Sequence, residues 1–274
     1  MTGHPGVWVP GHITGFFSPV VGADPVRSGS VGGGIALSDG VEVRVDPAPK
    51  TEVQLNGQPT AMPPVQAVLD TLGLSVRVSA KTALPLGAGF GVSGAMTLGT
   101  AFGAQAAGLT ERPRAELVRV AHVAEVSSRT GLGDVIGQAR GGVSLRTRAG
   151  APPLGRIARV RGTPTIEYLI FGPRSTAAVL GDPGTRLPVA GRRALRVAQS
   201  ESSMEAFMRA AAAFTADTGL AGTQVRQVLK RVAAIGHTAA MVMLGESVFS
   251  CDGGLSAAGY RPYEATVAGG PTEL

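Results

Sequence analysis

A glycine-rich stretch, KTALPLGAGFGVSGAMTLGTAFGAQAAGL at 81–109, constrains the fold of this chain more than any other segment. It holds seven glycines and follows an alternating apolar and polar run at 74–80 that predicts a strand. From Gly94 to Ala107, small apolar residues predict a helix that packs closely against its neighbours. The N–H groups of the turn and the positive end of the helix dipole favour an anion there. Two interpretations stay open: a phosphate-binding loop, or a turn that only permits tight packing.

Known phosphate-binding patterns narrow the first interpretation. The Walker A pattern is excluded because the chain has no Gly-Lys pair, whose lysine would reach the β- and γ-phosphates. A G-x-G-x-x-G match at Gly89, Gly91 and Gly94 is a coincidence among forty glycines, since Pro85 and a long approach separate it from the strand. The protein-kinase signatures His-Arg-Asp and Asp-Phe-Gly are absent. A phosphate loop here would therefore belong to another class.

The rest of the chain predicts strands and helices that are intermingled without strict β-α-β alternation, which favours an α+β fold over a doubly wound sheet. Strands are expected at 41–47, 74–80, 141–150, 156–161 and 165–171. Helices are expected at 65–73, at 112–129 with Pro113 in the first turn, at 192–216 and at 222–235, after a Gly/Pro-rich loop at 172–191. The segment APPLG indicates a boundary between an N-terminal domain, 1–152, and a C-terminal α+β domain, 153–274.

Two acidic residues downstream carry chemistry that phosphoryl transfer would need. Asp134, flanked by glycines in TGLGDVIGQARGG, can approach and deprotonate a substrate hydroxyl. Glu125 could complete a magnesium site with the hydroxyl of Ser93. Each also has a plainer interpretation: Glu125 as an ion pair with Arg129, and Ser93 and Asp134 as helix N-caps. The order and spacing of these residues favour the catalytic one.

Composition limits the classes of partner. The net charge is +6, and 22 of the 25 basic residues are arginine. These basic residues are scattered apart from a looser cluster at 140–161, and few aromatics are available for base stacking. We therefore expect no nucleic-acid partner. No apolar run is long enough for a membrane helix, and the first residues lack the features of a secretory signal. The lone Cys251 excludes an internal disulfide, suits the cytoplasm, and is expected to be a packed thiol.

Several segments carry a resemblance to the GHMP kinases (galactose, homoserine, mevalonate and phosphomevalonate kinases). PLGAGFGVSGA is similar to their phosphate loop, WVPGHITGFF to their N-terminal motif, and GLGDVIGQARGG to their catalytic-Asp segment. PGHITGFF, GSVGGGIAL, AEVSSRTGLGDV and GHTAAMVMLGESVFS are most similar to the archaeal pantoate kinases, over nearly the whole chain. The resemblance departs from the wider family at Val92, which replaces a serine, and at His12, where most members have lysine.

The resemblance implies a two-domain GHMP-kinase-like α+β fold with ATP in a cleft between the domains. It implies an ATP- and Mg²⁺-dependent kinase that phosphorylates the primary hydroxyl of pantoate to 4-phosphopantoate in archaeal coenzyme A biosynthesis. Another GHMP activity, on homoserine or a mevalonate-type alcohol, and a non-catalytic nucleotide-binding regulator are the alternatives. The partners would be ATP and pantoate, with no membrane and with a homodimer as an open option.

Carried over by position, the same resemblance assigns the site residues. Asp134 and His12 would be catalytic, and Ser93 and Glu125 would hold magnesium. Gly11, His12 and Thr14 would line the substrate side, and Arg27 and Arg129 are the arginines selected to bind the substrate carboxylate. The residues expected to bind ATP are Pro85, Gly87, Ala88, Gly89, Gly91, Val92, Ser93 and Gly94.

Overall fold

The computed structural model of the chain describes residues 4–173 and 186–274, and it consists of two β-sheets with helices packed on both. The strands are β1 Val7–Val20, β2 Gly29–Pro47, β3 Glu52–Leu55, β4 Gln58–Pro59, β5 Val76–Lys81, β6 Val143–Arg148, β7 Arg156–Arg159, β8 Thr165–Pro173, β9 Ala239–Met241, β10 Gly245–Ser250, β11 Tyr263–Thr266 and β12 Thr272–Glu273. The helices are α1 Pro63–Leu72, α2 Val92–Ala106, α3 Arg114–Ser127, α4 Asp134–Arg140, α5 Arg186–Glu201, α6 Met204–Thr218, α7 Thr223–Ala234 and α8 Gly254–Ala257.

The larger sheet has eight strands and is built around the long antiparallel pair β1 and β2. Strand β2 is long enough to pair twice on its other side, with β6 near its start and with β5 near its end. The order β12-β1-β2-β5-β3-β4 completes the path, and β3 with β5 is its parallel pair. The register of β1 against β2 shifts between Pro10 and Gly11, so the regular ladder is interrupted immediately before His12.

The smaller sheet has four antiparallel strands in the order β11-β8-β10-β9. Tyr168 on β8 joins it to the larger sheet, because its hydroxyl donates a 2.6 Å hydrogen bond to Asp39 and its ring packs on Phe90. A single cluster of buried apolar side chains extends through both sheets. Both sheets therefore rest on one continuous core.

Helix α2 explains why the stretch at 81–109 is rich in small residues. Twelve of its fifteen residues are buried, and it lies across β1 and β2. A Cβ added at Gly99 would lie 2.5 Å from a methyl of Val43, and one at Gly103 would lie 2.8 Å from a methyl of Val45. The later glycines of the stretch therefore serve close helix–sheet packing, as one of the two sequence interpretations requires.

The structure confirms the α+β class and most of the expected elements. The helices expected at 65–73, from 94 and at 222–235 are α1, α2 and α7, and the strands expected at 41–47 and 74–80 belong to β2 and β5. Pro113 is the N-cap of α3 and does not lie in its first turn. The fourteen-residue strand β1 was not predicted, because its Gly and Pro residues mask the strand pattern.

The region after β8 differs most from expectation. The loop expected at 172–191 falls partly outside the described residues, and α5 already begins at Arg186. The single helix expected at 192–216 is wrong: it is two helices, separated where Ser202 adopts a positive φ of 50° and Ser203 caps α6 through a 3.2 Å hydrogen bond from the Ala206 N–H. Serine favours this local capping over continuing a helix.

Two organisational points concern the whole chain. Within residues 4–173 and 186–274, no helix has the length and apolarity that crossing a bilayer requires. The division at residue 152 stays a prediction. The eight-stranded sheet contains β7, which follows that residue, and β12 from the C-terminal end of the chain.

Candidate active site

The main cleft has a volume of about 370 Å³ and lies where the N-terminal ends of α2 and α4 meet. One end is formed by Ala61, Met62 and Pro63, ahead of α1. Its lining includes most of the glycine loop, defined as residues 85–91, and the first turn of α2. The other end is formed by Thr14, Asp134 and the turn that carries Met243 and Leu244. The cleft is therefore a channel that passes over a glycine loop and ends at a carboxylate.

The glycine loop adopts a backbone shape that few other sequences could adopt. Alternate residues Gly87, Gly89 and Gly91 have positive φ angles of 82°, 92° and 64°. A Cβ at Gly89 would also lie 2.7 Å from Val242 and 2.9 Å from the Met243 carbonyl oxygen. Because side chains disfavour this conformation and this approach, glycine is required at this position. The earlier glycines of the stretch thus form an open-backbone turn at a helix N-terminus, which suits a phosphate-binding loop; that interpretation stays a prediction.

Both sheets hold the glycine loop in place. The His12 N–H on β1 donates a 2.9 Å hydrogen bond to the Phe90 carbonyl. The buried Ser247 hydroxyl on β10 donates a 3.0 Å hydrogen bond to the Ala88 carbonyl. Two carbonyls of the loop are thus turned into the protein, and Gly87, Gly89 and Gly91 line the cleft. Ala88 is buried, and neither it nor Pro85 is a lining residue.

Ser93 and Glu125 form a pair beside the loop. The Ser93 hydroxyl donates a 2.7 Å hydrogen bond to Glu125 Oε1, and the Thr97 hydroxyl lies 2.8 Å from the same oxygen. Burial raises the pKa of Glu125, although these hydroxyl contacts oppose the increase. The N-cap interpretation of Ser93 is wrong, because Gly91 occupies that position. The pairing of Glu125 with Arg129 is also wrong, since no ion pair to Glu125 occurs among the described residues.

Asp134 lies at the end of the cleft, held by two residues of β1. His12 Nδ1 is 2.8 Å from Asp134 Oδ1, and the Thr14 hydroxyl donates a 3.2 Å hydrogen bond to the same oxygen. Burial by itself would raise the pKa of Asp134, but the His12 hydrogen bond and the charge of Arg146 outweigh it and lower the pKa. The N-cap interpretation of Asp134 is wrong: the cap of α4 is Gly133, and Asp134 is the first helical residue. This carboxylate is therefore ionised and positioned to accept a proton.

The ring of His12 is enclosed on its far side. Its Nε2 has no hydrogen-bond partner in the parts of the chain that the structure describes. A Cβ at Gly34 would lie 2.4 Å from this nitrogen, and one at Gly137 would lie 2.3 Å from it. A protonated imidazolium would bury an N–H there without an acceptor, which is costly, whereas a neutral ring leaves only a lone pair. Because Nδ1 faces the carboxylate at 2.8 Å, it is the nitrogen from which His12 donates to Asp134.

A second, small pocket adjoins the cleft and contains a side chain that the sequence did not single out. It shares Thr14, Asp134 and Leu244 with the cleft and is also lined by Arg146. Arg146, on β6, is 3% exposed, and its Nη2 donates a long 3.4 Å hydrogen bond to Ser30 Oγ. Its Nε and Nη1 have no partner within residues 4–173 and 186–274. A buried guanidinium with two free donors indicates a site for an anion.

The remaining predicted substrate residues are distributed unevenly. Arg129 lines the cleft, in a left-handed conformation with φ 57°. Gly11 is buried behind the glycine loop, where an added Cβ would lie 2.6 Å from Leu84. Arg27 is not among the lining residues; its side chain is 70% exposed and lies 3.4 Å from Asp24. The structure thus places Arg146, and not Arg27, in a pocket beside Asp134. The only available signal was an arginine inside the otherwise strand-like VSLR.

Other residues considered in the sequence have structural roles. His122 is buried, with Nε2 2.9 Å from the Ser28 carbonyl, and burial lowers its pKa. Cys251 is a packed thiol, as expected, and burial raises its pKa to about 12. His237 follows α7 and lies 3.4 Å from Asp252. Met241 and Met243 are core residues.

Comparisons with known proteins agree with this geometry. The family model described as GHMP kinases N terminal domain matches residues 62–142. The pantoate kinase of Methanospirillum hungatei is 32% identical, over 88% of this chain and 85% of that protein. The pantoate kinase of Thermococcus kodakarensis is 33% identical, over 89% of this chain and 86% of that protein.

Solved structures agree as well. A phosphotransferase related to the CoA biosynthesis pathway superposes with a TM-score of 0.86 at 27% identity, covering 98% of each chain. A mevalonate-3-kinase from Thermoplasma acidophilum, 14% identical, has the same fold, with a TM-score of 0.72 over 100% of this chain and 99% of the other.

Proposed function

The chain belongs to the pantoate kinase family of the GHMP kinases, and from this premise we propose that it transfers the γ-phosphoryl group of ATP to the primary hydroxyl of pantoate. The product would be 4-phosphopantoate, an intermediate of coenzyme A biosynthesis. One observation carries the proposal: Asp134 lies where a glycine-loop cleft meets a pocket containing a buried, partly unpartnered arginine. We call the loop end of the cleft the nucleotide half and the Asp134–Arg146 end the acceptor half.

In the nucleotide half, backbone groups would bind the triphosphate. The first N–H groups of α2 have no intrahelical partners, and the helix dipole adds about half a positive charge at that end. Gly87, Gly89, Gly91 and the first turn Val92–Gly94 line the cleft and would surround the phosphates. Pro85 and Ala88 would act from behind, by shaping the loop. The apolar end at Ala61–Pro63 is suited to the nucleobase.

Ser93 and Glu125 fit a magnesium ion that arrives with the nucleotide. Both supply oxygen ligands, which Mg²⁺ prefers, and the Glu125 carboxylate is 2% exposed with no cationic side chain paired to it in the described part of the chain. Among residues 4–173 and 186–274, no three or more His, Cys, Asp or Glu side chains form a cluster able to hold a metal. Phosphate oxygens and water would supply the other ligands, as is usual for Mg²⁺. When bound, the ion would neutralise charge on the phosphates.

In the acceptor half, Arg146 would bind the carboxylate of pantoate. A guanidinium binds a carboxylate with two parallel hydrogen bonds along its Nε–Nη2 edge or its Nη1–Nη2 edge. Each edge of Arg146 includes one nitrogen, Nε or Nη1, that has no partner within the described residues. Burial of the guanidinium strengthens that interaction, because water competes little there. Arg129, exposed on the cleft, would contact the phosphates. Fixing the carboxylate at Arg146 would leave the hydroxyl end of the acceptor facing Asp134.

The reaction step follows from these positions. Asp134 accepts the proton of the pantoate hydroxyl, and the hydroxyl oxygen forms a bond to the γ-phosphorus. The bond from that phosphorus to the bridging oxygen breaks, and ADP carries away the electron pair. His12 and Thr14 both contact Asp134 Oδ1 and so orient the carboxylate, leaving Oδ2 free to accept the proton. His12 contributes a hydrogen bond to this carboxylate, and Arg146 is a buried permanent cation beside it.

A kinase of this kind would act in the cytoplasm, where ATP is available, and the option of a homodimer remains a prediction. An acceptor panel with ATP and Mg²⁺, followed by ADP release, tests the proposal. We expect turnover with pantoate to exceed turnover with homoserine and mevalonate. No turnover with pantoate, or a preference for another alcohol, would contradict it. ATP binding by calorimetry without turnover on any acceptor would indicate a non-catalytic nucleotide-binding protein.

A further inference from the structure

A buried glutamine connects three segments of the site without reaching into the cleft. Gln138 is fully buried on α4, one helical turn after Asp134. Its Nε2 donates a 3.0 Å hydrogen bond to the Pro10 carbonyl and a 2.9 Å hydrogen bond to the Gly91 carbonyl. Both partners are acceptors only, so the orientation of the amide is determined by chemistry: an oxygen in that position would face two carbonyl oxygens.

The two carbonyls lie at the points where the site segments are anchored. Pro10 precedes the register shift in β1, and two residues later the same strand presents His12 to Asp134. Gly91 ends the glycine loop and is the N-cap of α2, where its carbonyl also accepts the Ala95 N–H at 2.9 Å. One amide group therefore links the strand that orients the base, the loop that faces the phosphates and the helix that carries Asp134.

Close packing makes this link short and rigid. A Cβ at Gly94 would lie 2.8 Å from Gln138 Oε1 and 3.3 Å from the Asp134 Cβ, so the first turns of α2 and α4 are in contact. Small displacements in such packed contacts are transmitted to both elements. A shift of α4 relative to the glycine loop would change the distance between the Asp134 carboxylate and the γ-phosphate that the loop would bind.

We propose that Gln138 is a positioning residue that sets the distance between the glycine loop and the Asp134 carboxylate. The proposal rests on the phosphoryl-transfer function proposed above. Gln138 touches neither substrate, so its effect must appear in the rate of transfer and not in the binding of either ligand. A misplacement of about 1 Å in an active site costs on the order of 10²-fold in rate.

The variant Gln138→Glu tests this with nearly unchanged shape. A carboxyl group donates at most one hydrogen bond here, so at least one of the two carbonyls loses its partner. We expect kcat to fall about 10- to 100-fold, with ATP and pantoate affinities unchanged by calorimetry. We also expect a larger share of the consumed ATP to be hydrolysed without phosphorylating pantoate, because a misplaced acceptor competes less well with water. Gln138→Met, which removes both donors without adding charge, should behave in the same way.

Gln105→Glu is the matched control. Gln105 also donates from Nε2 to a backbone carbonyl, that of Arg112 at 2.9 Å, but it lies at the far end of α2. We expect wild-type kcat and coupling from it. Wild-type kcat in both Gln138 variants, measured per folded molecule, would overturn the proposal. So would a rate loss explained entirely by a smaller folded fraction.

A second readout separates this proposal from the proposed function. The His12 N–H donates to the Phe90 carbonyl and so reports the contact between β1 and the glycine loop. We expect faster hydrogen exchange at this amide in Gln138→Glu than in the wild type or Gln105→Glu. If the wild type does not phosphorylate pantoate, the proposed function fails, and the exchange measurement alone tests whether Gln138 holds β1 against the glycine loop. Unchanged exchange in Gln138→Glu would overturn the proposal for Gln138.

Discussion

The nucleotide half of the cleft is built mainly from one continuous stretch, residues 87–94, whereas the acceptor half collects Thr14, Asp134, Arg146 and Leu244 from four separate segments. The first uses backbone groups, exposed by glycines that need positive φ angles. The second uses side chains, which only the folded chain brings together. A phosphate site of the first kind can be read from local sequence, but a carboxylate site of the second kind cannot.

The two halves also treat a buried carboxylate differently. The pKa of Glu125 is raised by burial, and the neutral hydroxyl groups of Ser93, Thr97 and Thr130 oppose that increase. Asp134 is also buried, which would raise its pKa, but the hydrogen bond from His12 and the charge of Arg146 lower it. The two carboxylates therefore suit different roles. A cation that arrives with the nucleotide would stabilise the ionised form of Glu125, whereas Asp134 is already ionised without one.

Asp134→Asn removes the group at which the halves meet and should have the largest effect. The amide cannot accept the proton, so we expect kcat to fall by about 10³-fold, within the range for loss of a general base. ATP binding by calorimetry should be unchanged, because the nucleotide half is intact. Near-wild-type turnover would remove Asp134 from the mechanism.

Arg146→Gln should impair the acceptor half and leave the nucleotide half unchanged. Loss of a buried charge that binds a carboxylate costs about 2–5 kcal/mol, so we expect kcat/KM for pantoate to fall by roughly 30- to 4,000-fold. The dissociation constant of ATP should stay the same. Arg148→Gln, an exposed arginine on the same strand, is the control and should have no effect. Equal losses in ATP and pantoate binding would contradict the division into halves.

Ser93→Ala should weaken the use of ATP and leave pantoate binding unchanged, the opposite of Arg146→Gln, with a smaller loss. Losing one hydroxyl ligand near a charged group costs roughly 1.5–3 kcal/mol, so we expect a 10- to 100-fold loss in kcat/KM for ATP and a higher magnesium requirement. Pantoate binding should not change. Ser200→Ala removes an exposed hydroxyl on α5 and is the matched control. A magnesium dependence identical to that of the wild type would exclude Ser93 as a ligand.

His12→Asn has the smallest expected effect, and it is compared with His12→Ala. Asn in place of His12 keeps an N–H donor near the position of Nδ1 but can never carry charge. If His12 acts on Asp134 only through its hydrogen bond, His12→Asn should lose about tenfold or less in kcat, and His12→Ala about 10²-fold. Steady-state kinetics of both variants decide this. Equal losses in the two variants would mean that the charge of His12, and not its hydrogen bond, matters.

The same contrast explains which parts could be predicted from sequence. The α2 helix, the glycine loop and the Ser93–Glu125–Asp134 set follow from spacing, glycine content and resemblance, because their chemistry is local or ordered along the chain. Arg146 could not be selected among 22 arginines, since its significance comes from burial on β6 beside Asp134. The break at Ser202 was missed because the local N-cap at Ser203 was not recognised, and β1 was missed because its Gly and Pro residues mask the strand pattern.

Gln138 illustrates the limit further. Nothing in VIGQAR marks a glutamine as more than a helical residue, and its two acceptors lie 128 and 47 positions away. Only the fold shows that its amide joins the two halves of the cleft to the helix between them.

The central claim is that the acceptor half holds a carboxylate at Arg146 and presents the far hydroxyl to Asp134. Phosphorus NMR of the product formed from ATP, Mg²⁺ and pantoate tests it most directly. Phosphate on the primary hydroxyl couples to two protons and gives a triplet, whereas phosphate on the secondary hydroxyl couples to one and gives a doublet. We expect only the triplet, and its loss in Asp134→Asn. A doublet, or inorganic phosphate as the sole product, would contradict the account.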